Sequence, residues 1–104
     1  VVAGVSEHHP TVAEVVRFTV VGHVPMDIAP LLSIDEVRGG FRLALCGTDG
    51  APTVRFIPRE VLEAVAYWRL RAVVRRYVDD AVVAYRRDDY DRAVAAEARR
   101  IWWP

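Results

Sequence analysis

From Arg59 to Trp103 the chain contains neither glycine nor proline. Either residue costs stability inside a helix, so so long a run without them constrains the C-terminal half to be helical. Pro58 precedes the run. Its fixed φ suits the first helical position, and its missing N–H would be unpaired there in any case. Glu60 and Glu63 follow, where negative charge meets the positive end of the helix dipole. The sequence therefore predicts a long helix beginning at Pro58.

At about 100° per residue the apolar positions fall into two stripes. One is Val61, Val65, Trp68 and Ala72; the other is Leu62, Ala66, Leu70, Val73, Tyr77, Ala81 and Ala84. Two charged lines separate them, Arg69/Arg76/Asp80/Arg87 and Arg71/Arg75/Asp79/Arg86. An ordinary surface helix carries one apolar stripe. Two stripes predict cover on two sides, one from a small sheet and one from a second helix or a second copy of the chain. The i,i+4 pairs Arg75–Asp79 and Arg76–Asp80 read as solvated ion pairs adding about 0.2–0.5 kcal/mol each. The alternative is a phosphate-binding arginine face, since the guanidinium fork matches phosphate oxygens.

The run Arg86-Arg87-Asp88-Asp89 reads as a break, with Asp88 as N-cap and Asp91 in an acidic first turn. A second helix is expected from about Asp89 to Trp102, with Tyr90, Val94 and Ile101 on one face and Arg99 and Arg100 in the last turn. A continuous helix through the run is the rival reading.

Ahead of the helices, Thr11 to Val24 is rich in Val, Phe and Thr, which suits a strand. Gly22 would mark its end or a bulge. The segment Val24 to Pro30, with two prolines, is a connector. Ser33-Ile34-Asp35-Glu36 has the form of a capping box and predicts one helical turn closed by Gly39-Gly40. Phe41, Leu43 and Leu45 alternate with Arg42, Ala44 and Cys46, a half-buried strand. A turn over residues 47–52 leads to a returning strand, Thr53 to Ile57, with Val54 and Phe56 inward. The expected class is α+β: about three antiparallel strands followed by a long helix and a second C-terminal helix packed on one face. It forms a single domain over 1–104, with a sheet portion 1–57 and a helical portion 58–104.

A sheet of three short strands is too small to hide the long helix. The hydrophobic fraction of 53% also exceeds the usual range of about 45–50%. Both point to a homo-oligomer, a dimer through the long helix. Basic and acidic residues balance at 14 each. Six arginines against two glutamates over 55–76 give a local excess of four, well short of the basic footprint of a nucleic-acid binder. Every basic residue except histidine is arginine, which excludes lysine nucleophiles and Schiff bases and matches a GC-rich bacterial genome. The single cysteine, Cys46, permits no internal disulfide and reads as a buried structural thiol of a cytoplasmic protein. No apolar run approaches the roughly 20 residues of a membrane helix, so no membrane partner is expected, nor any cofactor or metal.

The histidines are the only candidate catalytic pattern. His8, His9 and His23 flank the first expected strand, and imidazoles suit proton transfer near neutral pH. Ser6-Glu7-His8-His9-Pro10, followed by Thr19-Val20-Val21-Gly22-His23, resembles the pterin-4a-carbinolamine dehydratases over residues 6–23. That family carries a His-His-Pro motif at a helix end and a third histidine at the end of the next strand. The resemblance implies acid/base roles for His8, His9 and His23 in removing water from a hydroxylated pterin. The long C-terminal helices have no counterpart in that family.

Three functions are thus in view: a binding or assembly module dimeric through its long helix, a histidine-based acid/base enzyme of dehydratase type, and an α+β dimer with a small-molecule pocket. The candidate contact residues for a protein partner or a small molecule are Tyr67, Trp68, Arg69, Arg76, Trp102 and Trp103, aromatic and arginine side chains of the kind that anchor interfaces.

Overall fold

The structure, a computed structural model, describes residues 10–47 and 51–102. The expected α+β class is present, with one antiparallel sheet of order β1-β2-β3 and a long C-terminal helix. The strands are β1 (Leu32–Val37), β2 (Gly40–Cys46) and β3 (Pro52–Pro58). The helices are α1 (Val12–His23), α2 (Arg59–Ala64) and α3 (Leu70–Trp102). Single 3-10 turns stand at Ala29–Leu31 and Tyr67–Arg69.

Two N-terminal elements differ in kind from expectation. The segment read as a strand over Thr11 to Val24 is α1. Thr11 is its N-cap, its hydroxyl accepting from the Glu14 amide at 3.2 Å. The start signal was therefore the Thr-x-x-Glu at 11–14, not the one at Ser33–Glu36. Val15, Val16, Thr19 and Val20 are buried, an i, i+1, i+4, i+5 set that only a helix places on one side. The β-branched residues would favour a strand locally, but burial of that face overrides the preference. Conversely, Ser33 to Glu36 lies in β1, paired along β2 from Leu32↔Leu45 to Val37↔Gly40.

The β1–β2 turn is Arg38-Gly39, with φ +90 at Gly39, the sign a glycine adopts without penalty. Gly40 has φ +154, and a Cβ there would stand 2.0 Å from the Ile57 carbonyl oxygen. The absence of a side chain lets the ends of β2 and β3 close.

The hairpin of β2 and β3 is as expected, but the phase of β3 is not. Thr53 and Ile57 are buried while Val54 and Phe56 are exposed. The register Phe41↔Ile57 and Leu45↔Thr53 aligns the buried residues of both strands on one face. Cys46, expected to be buried, ends β2 exposed. Within the 47–52 turn, residues 48–50 lie outside the described residues.

The long helix does not start at Pro58. Pro58 caps α2, Val65 and Ala66 are extended, and α3 begins only at Leu70. This jog sets α2 against β2 and β3 and lets α3 lie along both α1 and β3. Leu62 and Leu70, on either side of the jog, are both buried. Helix propensity alone would have joined the two segments; core burial divides them.

The buried line of α3 is Leu70, Val74, Val78, Ala81 and Tyr85. Leu70 and Ala81 belong to the second expected stripe, Val74, Val78 and Tyr85 to neither, and Trp68 and Ala72 of the first stripe are exposed. With Phe41, Leu43, Leu45 and Ile57 of the sheet and Val16 and Val20 of α1, this line forms one core.

The expected break at Arg86–Asp89 is absent; α3 is continuous through Trp102. Asp88 is not an N-cap. Its carboxylate accepts from the buried Thr53 hydroxyl at 2.7 Å. One turn pair earlier, Asp80 holds Arg55 at 3.3 Å, so α3 descends β3 antiparallel to it. From Asp89 to Trp102 every residue but the half-buried Arg92 is exposed. The helix therefore projects past the sheet. The longest dimension is 73 Å against 26 and 21 Å. The radius of gyration, 17.8 Å, compares with about 13 Å for a compact domain of this length.

Candidate functional site

His23 is the one candidate catalytic histidine in the described part of the chain; His8 and His9 lie outside it. It closes α1 rather than a strand, in the last turn of the helix. There the exposed carbonyls favour a cation. Its Nε2 lies 2.7 Å from Asp79 Oδ1 of α3, so the tautomer protonated at Nε2 donates to the carboxylate. Asp79 was expected to pair with Arg75 and Asp80 with Arg76. The structure engages both acids across the fold instead, through His23 and Arg55.

The His23–Asp79 contact sits at one end of a groove between two parallel helices. At the other end Val15 shares a recess with Tyr67, Trp68 and Arg71. Between them is a cleft of about 400 Å³ lined by Phe18, Thr19, Gly22, His23, Arg71 and Arg75. These are three i,i+4 pairs, Phe18/Gly22, Thr19/His23 and Arg71/Arg75, so each helix presents successive turns to the same space. One charged line of the sequence, Arg71/Arg75/Asp79, thus faces α1. Phe18, Thr19 and Gly22 were missed because their segment was read as a strand.

Among the described residues neither Arg71 nor Arg75 is paired with a carboxylate. Thr19 is 8% exposed and its hydroxyl has no hydrogen-bond partner among them. Chemically, the cleft offers two guanidinium forks and an imidazole oriented by a carboxylate, with the Thr19 hydroxyl buried in its wall. Among the described residues no group of three or more His, Cys, Asp or Glu is placed to hold a metal ion. Nor is any described helix long and apolar enough to cross a membrane.

The candidate contact residues are scattered. Tyr67 donates its hydroxyl to the Pro10 carbonyl at 2.9 Å. Trp68, in the same 3-10 turn, is 81% exposed, and the Arg69 guanidinium lies 5.6 Å from its ring centroid. Arg76 is exposed on the side of α3 turned from the core, and Trp102 is exposed at the far end of the helix. Trp103 lies outside the described residues.

A second feature is the outer face of the projecting half of α3. Val83, Tyr90, Val94 and Ile101 are 65, 68, 48 and 63% exposed. With Arg87 and Glu97 they follow a 4,3,4,3,4 spacing, the seam of a two-stranded coiled coil. At 100° per residue this line lies on the opposite side of α3 from Leu70, Val74, Val78, Ala81 and Tyr85. It can be covered without disturbing the core.

Comparison of this chain with protein-family models, curated proteins and solved structures returns no match.

Proposed function

We propose that the protein is a binding and assembly module that forms a homodimer by antiparallel pairing of the outer face of α3. The observation that supports this reading is the self-complementarity of the exposed line. In an antiparallel pair, residues whose numbers share a constant sum lie opposite one another. With the two-fold axis level with Arg92, Val83 meets Ile101 of the second copy, Tyr90 meets Val94, and Arg87 meets Glu97. Every apolar residue of the line faces an apolar one, and every charge faces its opposite. Ala84, Ala93 and Ala98 flank the line and allow the helices to approach closely.

Arg86 and Arg100 would approach like charges across the interface. Arg86 has Asp27 in its own chain, and Glu97 would be shared between Arg100 of its own chain and Arg87 of the second copy. The folded units would lie toward opposite ends of the paired helices. The contact is at the small end of specific interfaces, about 1,200 Å² in total, and a dissociation constant in the range of about 1–10 μM is expected.

The test is sedimentation of wild type, Arg87→Glu, Glu97→Arg and the double exchange. Arg87 and Glu97 lie about 15 Å apart along one helix, so they can pair only between copies. Each single variant should be monomeric where the wild type is dimeric, and the double exchange should restore the dimer. A wild type monomeric at about 100 μM, far above the expected constant, would refute the proposal, as would single variants that dimerise unchanged.

A further inference from the structure

Three residues around the α1–α3 cleft break a local rule of folding. Gly22 is in the last turn of α1, although glycine is the poorest helix former after proline. Its φ is not positive, and a Cβ there would meet nothing within 4 Å, so neither backbone nor packing requires a glycine. Thr19 is buried with a hydroxyl that has no partner among the described residues, a costly arrangement in any interior. Arg71 stands in the first turn of α3, a turn that holds no acidic residue, where the helix dipole disfavours a cation. All three line the same cleft. Departures from local rules that converge on one place point to a functional site.

A single ligand would answer all three. We propose that the cleft binds the phosphate group of a small phosphate ester. Arg71 and Arg75, one turn apart and free of carboxylate partners among the described residues, grip the phosphate oxygens with their guanidinium forks. The anion also offsets the dipole penalty at the start of α3. The Thr19 oxygen is buried in the cleft wall, so its donation to the anion requires a change of side-chain rotamer that turns the hydroxyl into the cleft. Gly22 leaves the room that any side chain would fill. Asp79, one turn beyond Arg75, is engaged by His23 Nε2 at 2.7 Å rather than by either arginine. Phe18, exposed at the rim, offers a ring face to the organic part of the ester. The volume of about 400 Å³ suits a small molecule rather than a chain segment. The cleft lies on the first half of α3, so this inference does not depend on the pairing of its second half.

The test uses the full chain titrated with phenyl phosphate, inorganic phosphate and phenol, followed by calorimetry and by amide chemical shifts. Phenyl phosphate should bind saturably and more tightly than inorganic phosphate, and phenol should not bind. Arg75→Ala should weaken phenyl phosphate by about tenfold or more, the scale of one lost charge-assisted contact. Gly22→Leu fills the cleft from a position with no neighbours, so it should abolish binding while leaving the thermal midpoint unchanged or higher. No saturable binding, or binding that Gly22→Leu leaves intact, overturns the proposal. Equal affinity for inorganic and phenyl phosphate overturns the ester and assigns free phosphate instead.

Discussion

The contact between Thr53 and Asp88 should be worth enough to measure by itself. Thr53 is 3% exposed, and its hydroxyl reaches the Asp88 carboxylate at 2.7 Å. Hydrogen bonds to charged groups contribute about 1.5–3 kcal/mol. Asp88 is only half-buried, which places this one near the lower bound. Thr53→Val keeps the branched shape and removes the donor, so a loss of about 1.5 kcal/mol is expected. For a domain of this size that lowers the thermal midpoint by about 6–12 °C. Asp88→Ala leaves the buried hydroxyl without an acceptor and should cost about the same or somewhat more. The double variant loses the pair only once, so the cycle should show a coupling of about 1–1.5 kcal/mol. Denaturant melts of all four proteins supply the numbers. They should be run at one protein concentration, because dimer formation raises apparent stability. Strict additivity of the two single losses would refute the reasoning and remove Asp88 as the anchor that directs α3 past the sheet.

Two further outcomes follow from single positions. Gly40→Ala drives a Cβ to 2.0 Å from the Ile57 carbonyl oxygen at φ +154, so it should cost about 3 kcal/mol or more, read as a fall in the urea midpoint at unchanged slope. Tyr67→Phe removes a hydrogen bond to Pro10 that is exposed to solvent, so the change in stability should stay within about 0.5 kcal/mol.

Several features were legible in the letters because they rest on local periodicity. The two-residue alternation of Phe41, Leu43 and Leu45 gave β2 and its buried face. The absence of glycine and proline between Pro58 and Pro104 predicted the helical C-terminal half. The line Arg71/Arg75/Asp79 was visible as a charged row, and Tyr90, Val94 and Ile101 as one face. The α1 error has a specific cause. Val, Thr and Phe are β-formers by propensity, and the burial that overrides propensity comes from the core side of α3 and from the sheet, which are distant in sequence. Ser33–Glu36 misled for the opposite reason: a capping box specifies a helix only if the chain beyond it can bury a helical face. In β3 the period was right and the phase wrong, because a one-residue shift exchanges the faces and only the pairing with β2 decides between them.

What the sequence by itself determined is the inventory: a helix-rich C-terminal half, a hairpin, a charged row and an apolar line with no place in a small core. Those follow from the repeat lengths of helix and strand, which act over a few residues. The tertiary structure alone decided the direction of α3, its jog at Val65–Ala66 and the engagement of Asp79, Asp80 and Asp88 by α1 and β3. It also decided the opening of a cleft at Gly22. Each depends on contacts between residues far apart in the chain, which become favourable only when the core is already closed.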